Sequence, residues 1–289
     1  MGDWMNVQWF PGHMAKTRRM LSEQIGFIDI VIELLDARLP LSSQNPEIGN
    51  LVGDKPRLVI LNKADLADDK VNREWADYFK QKGVEAVLLD SLHAKNLNFI
   101  SDKIRFLLKD KLEKLAEKGM TGRSVKVMVV GIPNVGKSSF INRLAGRFGA
   151  ATGDRPGVTR GKQWIRLKSG MELLDTPGIL WPKFEDEQVG LRLAFAGSIK
   201  DEIMDTETLA AKLLEFLNEA YFDALCTRYK LADTEELNGY ELLELIGRKR
   251  GFVISGGEID TLRAANIVLD EFRSCKIGKI SLERPEEMR

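Results

Sequence analysis

Cysteine and histidine are both scarce in this chain, with two of each among 289 residues. Cys226 and Cys275 are far apart and no Cys-x-x-Cys pair occurs, which argues against a disulfide framework or a zinc site and favours a reducing compartment. The N-terminal stretch MGDWMNVQWFPGHMAK lacks the apolar centre of a signal peptide, and no apolar run is long enough to cross a bilayer. We therefore expect a soluble, cytoplasmic protein without a membrane partner.

An excess of charge of either sign is also missing, because 43 basic residues balance 43 acidic ones. The balance hides a difference along the chain. Residues 1–185 hold 29 basic and 22 acidic side chains, whereas residues 186–289 hold 14 and 21. A basic first part favours phosphate-rich ligands. An acidic second part argues against simple electrostatic binding of nucleic acid there, unless its basic residues cluster.

Apolar segments alternate with helical segments in the first part of the chain. The segment 28–38 is β-branched and continuously apolar, as a strand buried on both faces is. The segment 57–65 indicates a second buried strand that runs into a polar turn, and 84–91 indicates a third strand. Helical spacing is present at 68–83 and 96–119, and each of these segments ends at a glycine. This alternation predicts an α/β fold with a parallel sheet covered by helices.

After about residue 185 the pattern is helical, with no convincing strand and no repeat. The predicted organisation is therefore an α/β domain over residues 1–183, which includes an N-terminal helix at 13–25, and an all-α domain over residues 184–289.

The stretch VMVVGIPNVGKSSF contains the pattern GxxxxGK[ST] between an apolar strand and a helix. Glycines at Gly131 and Gly136 let backbone amides turn towards phosphate oxygens, and the following helix adds its positive end. Lys137 is predicted to reach the β- and γ-phosphates, and the Ser138 hydroxyl to bind Mg²⁺. The remaining candidate contacts of this phosphate loop are Asn134, Val135 and Ser139. The alternative is a glycine turn that precedes a helix by chance.

Two further segments fit the same phosphate and metal site. Asp175 in DTPG ends a predicted strand about 40 residues after the phosphate loop, where a carboxylate can hold a Mg²⁺ water and the Gly178 amide can touch the γ-phosphate. Thr159 in RPGVTRG lies between the two motifs, where a switch threonine would complete the Mg²⁺ shell. The alternatives are an ordinary turn at DTPG and an ordinary loop threonine.

The segment NKAD at residues 62–65 indicates which nucleotide is bound. The Asp65 carboxylate can accept hydrogen bonds from N1–H and the exocyclic amine of guanine, and adenine offers neither. Charged buried hydrogen bonds contribute about 1.5–3 kcal/mol each, which predicts a preference of roughly several hundred-fold. Lys63 is expected along the base, Asn62 as a brace for the loop, and the Ser91 backbone near the guanine carbonyl.

The order of these motifs is unusual for a GTPase. NKAD and Ser91 precede Gly131, whereas Thr159 and DTPG follow it. This order predicts a circularly permuted GTPase domain, which is physically reasonable because ligands bind at the carboxyl ends of parallel strands whatever their order in the chain. The segment after DTPG then leads directly into the helical domain, so nucleotide-driven movement could pass to that domain.

The motif set resembles the ribosome biogenesis GTPase A family, of the YlqF type. The segments that carry the resemblance are WFPGHMAK, LLDARLPLSSQNP, GIPNVGKSS, GVTRG, LLDTPGILWP and GGEIDTLRAANIVLDEFRSCKIGKISLE. Nearly the whole chain is covered. The resemblance implies a monomeric factor that binds a late precursor of the large ribosomal subunit and contacts its rRNA. It further implies that the factor promotes late ribosomal-protein incorporation or folding and leaves after GTP hydrolysis. The helical domain would then be the part that binds RNA or the ribosome.

Hydrolysis needs a group that positions water, and the usual glutamine after DxxG is absent. Ile179 and Leu180 stand there instead, and neither can orient water. The family resemblance implies that His13 in FPGHM supplies this function when the ribosome binds. From the residues alone, His13 can equally be a helix cap or an RNA contact within an aromatic turn. His93 is expected to be an ordinary loop histidine.

Asn134 has a second possible role, because related GTPases with asparagine at this position bind K⁺ beside the phosphates, where it supplies positive charge. The alternative is an asparagine favoured by turn geometry. Candidate RNA contacts are basic clusters, although such clusters are often only solvated faces. These are Lys16, Arg18 and Arg19; Arg248, Lys249 and Arg250; and Arg263, Arg273, Lys276 and Lys279.

Three classes of function are compatible with the residues. The favoured class is an RNA- and ribosome-activated GTPase. The alternatives are a signalling-type GTPase switch that acts on a protein partner without RNA, and a P-loop ATPase or kinase. Asp65 argues against ATP, and co-sedimentation with large subunits separates the first two classes.

Overall fold

The computed structural model describes residues 19–94, 97–120, 122–146, 163–178, 180–181, 186–199, 205–232 and 234–288. Among these residues, 19–181 and 283–288 form one compact unit, the sheet unit, and 186–282 form a second, the helical unit. Within the described residues, the predicted domain boundaries differ from this division at one place. Residues from Glu283 onward, which were assigned to the helical domain, belong to the sheet unit because Glu283 is hydrogen-bonded to Ser42 and Trp75.

The sheet unit is built on six strands in the order β3-β2-β1-β4-β6-β5. The strands are β1 (Ile30–Asp36), β2 (Arg57–Asn62), β3 (Glu85–Leu89), β4 (Lys126–Gly131), β5 (Gln163–Arg166) and β6 (Glu172–Asp175). All neighbouring strands are parallel except β5 and β6, which are antiparallel because a short turn at Gly170 joins them. The α/β fold with permuted motif order is confirmed, with one antiparallel edge strand in the sheet.

Helices α1 to α6 accompany this sheet. They are α1 (residues 19–25), α2 (Pro46–Val52), α3 (Asp69–Gln81), α4 (Asn98–Leu107), α5 (Lys109–Glu117) and α6 (Lys137–Ala145), with a terminal 3₁₀ helix at Pro285–Met288. The predicted helix at 96–119 is thus interrupted, at Leu108. The interruption falls where the packed face ends, because α4 buries Ile100 and Ile104 whereas α5 buries no residue.

Helix α3 shows how local sequence sets the bounds of an element. The Asp68 side chain accepts hydrogen bonds from two backbone amides of the first turn, at 2.7 and 3.2 Å. Gly83 follows the helix with a φ of 71°, which glycine adopts readily. Between these ends, Val71, Trp75 and Phe79 repeat at four-residue spacing and pack against residues of β1 and β2.

The helical unit contains α7 (Glu187–Phe195), α8 (Thr206–Ala220), α9 (Phe222–Tyr229), α10 (Gly239–Lys249) and α11 (Thr261–Arg273). Helix α8 is central and packs against the other four. A Cβ atom at Gly239 would lie 2.1 Å from the Ala211 carbonyl oxygen, so glycine is what allows α10 to approach α8 this closely. The described residues of this unit form no strand, as expected, and Val253 and Ile259 make only an isolated antiparallel bridge. Among the described residues, no helix combines the length and apolar character needed to span a bilayer.

Candidate nucleotide-binding site

The phosphate loop connects the end of β4 to the start of α6. Asn134 and Gly136 have positive φ angles, 58° and 98°, which give the loop its tight turn before the helix. At Gly131 a Cβ atom would lie 2.6 Å from the Leu34 carbonyl oxygen, so a side chain is excluded there. Ser138 and Ser139 lie half-buried in the first turn of α6. This is the strand, glycine turn and helix N-terminus that the sequence predicts.

Lys137 is the buried cation of this loop. Its Nζ donates hydrogen bonds to the carbonyl oxygens of Gly131 and Ile132, at 3.1 and 3.0 Å. Burial lowers the pKa of Lys137 to about 8, and the Asp175 carboxylate opposes this shift. The ammonium group is therefore held at the centre of the loop by contacts that phosphate oxygens can replace.

Asp175 lies at the end of β6, where its backbone is paired with Val129 of β4. The side chain is fully buried, and within the described part of the chain neither carboxylate oxygen has a hydrogen-bond partner. Burial raises the pKa of Asp175, and the Lys137 ammonium opposes that rise. An ionisable group that is buried without a partner is costly, and such groups are typical of ligand sites.

The segment after Asp175 is fixed against the phosphate loop. The Thr176 hydroxyl donates to the Val129 carbonyl oxygen at 2.7 Å. A Cβ atom at Gly178 would lie 2.8 Å from the backbone N and Cα of Pro133 and 3.1 Å from Lys137 Nζ. The DTPG segment and the phosphate loop are therefore in contact, and only glycine fits at this point.

Asn62 joins the NKAD segment to the phosphate loop. Its Nδ2 donates to the Val135 carbonyl oxygen at 2.7 Å, across 73 positions of sequence. Its Oδ1 accepts hydrogen bonds from the Ser91 backbone N and Oγ, at 3.1 and 2.7 Å. One side chain thus connects the carboxyl ends of β2, β3 and β4. Residues 62–65 and 131–138 meet, although they are written in reversed order.

Lys63 contacts a buried ion-pair network for which sequence reasoning gave no role. Its Nζ lies 3.1 Å from the Asp36 carboxylate, which also accepts two hydrogen bonds from the Arg38 guanidinium at 2.8 and 2.9 Å. Burial would raise the pKa of Asp36, but the charges of Arg38 and Lys63 outweigh it and hold that pKa well below its ordinary value. The charged Asp-Ala-Arg that begins at the last residue of the apolar strand β1 was the available signal.

Asp65 lies beside the loop that follows β3. A carboxylate oxygen of Asp65, a carboxylate oxygen of Asp90 and a ring nitrogen of His93 all lie within 4.8 Å of one another. Burial and the nearby Asp90 charge raise the pKa of Asp65. The Asp90 carboxylate accepts from the backbone amides of Leu92 and His93, and it lies 2.7 Å from His93 Nδ1. Asp90 and His93 therefore shape the loop next to Asp65.

Several predicted residues lie outside the described residues: His13, Lys16, Arg18, Thr159 and Ile179. Among the basic residues of the helical unit, Arg273 has a structural role, since it donates to the carbonyl oxygens of Ala194 and Phe195 at the end of α7. Arg250 pairs with the Glu271 carboxylate at 3.2 Å. The basic edge predicted for RNA is therefore partly used within the unit itself.

The fold and the joined loops define the class of a P-loop GTPase, and comparison with known proteins agrees. The family described as 50S ribosome-binding GTPase matches residues 126–223. The GDP-bound structure of TM YlqF is similar with a TM-score of 0.67 and 28% identity, covering 93% of this chain and 100% of that chain. The GNP-bound YlqF from T. maritima is similar with a TM-score of 0.62 and 27% identity, covering 94% and 99%.

A relative in Bacillus cereus, Ribosome biogenesis GTPase A, is 50% identical over 283 residues, which cover 98% of this chain and 95% of the relative. The chain therefore belongs to the ribosome biogenesis GTPase A family, and it is an enzyme that binds GTP and hydrolyses it to GDP and phosphate. The predicted family and activity are confirmed. The alternative of a signalling switch has no support among these relatives.

Proposed function

We propose that the protein is an assembly factor of the large ribosomal subunit. In the GTP state it binds a late precursor of that subunit in the cytoplasm and contacts its rRNA, and it leaves after hydrolysis that the subunit stimulates. The names of the B. cereus relative and of the matched family support the ribosomal partner. The observation that carries the nucleotide part is the hydrogen bond from Asn62 to Val135, because it brings a base-reading segment to a phosphate loop.

In the proposed complex, Asp65 accepts hydrogen bonds from the guanine edge while Lys63 lies along the base. The Asp36 carboxylate limits the directions in which Lys63 can extend, because their charged atoms are 3.1 Å apart. The backbone amides of residues 134–139, at the N-terminus of α6, bind the phosphates together with Lys137. Ser91 holds the neighbouring loop in place through Asn62.

The residues at the phosphate end fit a magnesium ion. Asp175 offers two buried carboxylate oxygens without hydrogen-bond partners in the described structure, and such oxygens are ligands that Mg²⁺ or its waters prefer. Ser138 supplies a hydroxyl from the first turn of α6, and Thr159 is the proposed third residue. When bound, the ion neutralises charge on the transferred phosphoryl group.

The water-positioning group is proposed to be His13. Leu180 is buried and apolar, so it cannot take the place of the missing glutamine. K⁺ is proposed to bind through Asn134, where it would supply a positive charge close to the phosphates. The φ of 58° at Asn134 gives the turn-geometry alternative equal standing, so comparison of K⁺ with Na⁺ decides between them.

For RNA contact, the described residues favour the end of α10 and the bridge that follows it. Arg248 and Lys249 are exposed there, and the Arg263 guanidinium lies 4.6 Å from the ring centre of Phe252. Because the helical unit is acidic as a whole, a local basic and aromatic surface suits recognition of RNA shape better than bulk charge would.

The test is GTP turnover with and without large subunits, in K⁺ and in Na⁺, for wild type and His13→Ala. We expect subunits to stimulate turnover of wild type, K⁺ to support it better than Na⁺, and His13→Ala to lose the stimulation. Intact stimulation in His13→Ala would reject His13 as the water-positioning group. Absence of both stimulation and salt-dependent co-sedimentation for wild type would reject the ribosomal role.

A further inference from the structure

Glu283 is a buried carboxylate that lies far in sequence from everything it binds. Only 1% of its surface is exposed. The carboxylate accepts hydrogen bonds from the backbone N of Leu41, from the backbone N of Ser42 at 3.1 Å and from Ser42 Oγ at 2.7 Å. The Glu283 carbonyl oxygen also accepts from Trp75 Nε1 of α3 at 3.2 Å. Glu283 thus fixes residues 41–42 against α3.

The segment that Glu283 holds is the one that carries Asp36. Ser43, next to Ser42, accepts a hydrogen bond at its Oγ from the Asp36 backbone N at 3.0 Å. The Asp36 side chain pairs with Lys63 Nζ, and the next residue, Ala37, donates from its backbone N to the Asn62 carbonyl oxygen at 2.8 Å. Hydrogen bonds and one ion pair, linked through the chain at 42–43 and 36–37, therefore connect Glu283 to the first two residues of NKAD.

We infer that Glu283 is a positioning residue for guanine nucleotide binding, which acts through the 36–43 segment on Lys63. This inference rests on the proposed role of residues 62–65 as the base-reading segment. Glu283 directly follows Leu282, the last residue of the helical unit. A change in the path of the chain at Leu282 would therefore alter nucleotide affinity through Glu283. By reciprocity, nucleotide binding would also influence the path of the chain at Leu282.

The substitution Glu283→Gln keeps the size of the side chain but removes its charge and places an amide donor among three donors. We expect it to weaken GDP binding by about three- to tenfold, since only part of the free energy of these charged hydrogen bonds reaches the nucleotide site. Glu283→Asp should recover part of the loss. Arg284→Ala is the matched control. The Arg284 side chain is 40% exposed and its ion pair with Glu74 is long, at 3.8 Å, so this variant should bind GDP like wild type.

Two nucleotides and a double variant separate positioning from a merely structural role. Inosine diphosphate lacks the exocyclic amine, so Asp65→Asn should alter the ratio of GDP to inosine diphosphate affinity. Glu283→Gln should weaken both nucleotides equally, because it acts through Lys63 and not through Asp65. In a Lys63→Ala background, Glu283→Gln should cause no further loss.

The outcomes distinguish the inference from the proposal beneath it. Should Asp65→Asn leave the ratio unchanged, the base-reading assignment is wrong. Should Asp65→Asn change the ratio while folded Glu283→Gln binds GDP within twofold of wild type, only the inference is overturned. A full additional loss in the Lys63→Ala background overturns it as well. If Glu283→Gln does not fold, Ser42→Ala removes one bond of the same set and should show a smaller loss of the same kind.

Discussion

The two units differ in how they treat buried charge. In the sheet unit, Asp36, Lys63, Lys137 and Asp175 gather at the carboxyl ends of the strands, and both Asp175 oxygens lack hydrogen-bond partners among the described residues. In the described part of the helical unit, the buried charged side chain is Glu271, which pairs with Arg228 and Arg250. The Asp175 carboxylate without hydrogen-bond partners lies at the proposed ligand site, whereas the paired Glu271 carboxylate stabilises the fold of its unit.

The largest effect is expected from a glycine substitution in the sheet unit. Gly178→Ala would place a Cβ atom against Pro133 and Lys137, which separates the DTPG segment from the phosphate loop. We expect GTP turnover to fall by roughly 10²–10³-fold, as for removal of a positioned catalytic group. Gly49→Ala, where no atom lies within 4 Å of the new Cβ, is the control and should turn over GTP normally. Normal turnover in Gly178→Ala would contradict the assignment of DTPG.

The counterpart in the helical unit is Gly239→Ala. Its Cβ atom would lie 2.1 Å from the Ala211 carbonyl oxygen, so α10 must move away from α8. We expect the free energy of unfolding to fall by about 3 kcal/mol, near the upper end for overpacking, while GDP affinity stays unchanged. Chemical denaturation and fluorescent-GDP titration measure the two quantities. A loss of GDP affinity in a folded Gly239→Ala protein would break the separation between the units.

Glu271→Gln tests the satisfied charge. Burial raises the pKa of Glu271, but hydrogen bonds from Arg228 and the charges of Arg250 and Arg228 outweigh it, so the pKa lies below its ordinary value of 4.5. A lowered pKa adds stability that is present above the unfolded pKa and is lost as pH falls through the folded pKa. We expect the substitution to cost about 2 kcal/mol at pH 7 and less at acid pH.

Chemical denaturation of wild type and Glu271→Gln, at pH 7 and at acid pH, measures the difference in their free energies of unfolding. The control is Glu244→Gln, because the Glu244–Arg248 pair is exposed, with side-chain exposures of 52% and 68%. Exposed pairs within a helix contribute only about 0.3–0.5 kcal/mol. Equal costs for Glu271→Gln and Glu244→Gln would remove the distinction between buried and exposed pairs in the helical unit.

Asp175→Asn should have the smallest effect on stability, and with the opposite sign. The pKa of Asp175 is raised, so its contribution to stability is lost as pH rises through that pKa and the buried carboxylate ionises. A neutral amide avoids this cost. We expect the nucleotide-free protein to gain about 1 kcal/mol near pH 8 and to lose the gain towards acid pH. Asp77→Asn, at an exposed position of α3, should change nothing. Destabilisation by Asp175→Asn would contradict the prediction.

The strands and the motifs that end them could be predicted because their signals are local. A continuous apolar run identifies a strand buried on both faces, and the residues that follow it must lie at the carboxyl edge of the sheet. This is why Asn62, Lys137 and Asp175 were predicted at one site. The family resemblance extended the prediction to the ribosome, which the residues alone do not specify.

The remaining features depend on contacts between distant segments. Nothing near Arg273 in the sequence indicates that it binds the carbonyl oxygens at the end of α7. The pairing of Lys63 with Asp36 joins segments 27 positions apart. The left-handed φ of 59° at Lys63 has no local sequence signal either. The interruption at Leu108 follows from where packing ends and not from a glycine or proline. Periodicity carries no information on such contacts.

The position of Glu283 has a consequence for the order in which the protein forms. During synthesis the 36–43 segment leaves the ribosome first, and Glu283, the partner of Ser42, follows 241 positions later. At about 5–20 residues per second, the delay is roughly 12 to 50 seconds. Until then the segment beneath Lys63 has no carboxylate to hold it. On the inference above, a nascent chain therefore acquires full support for the proposed guanine site only after the helical unit has been made.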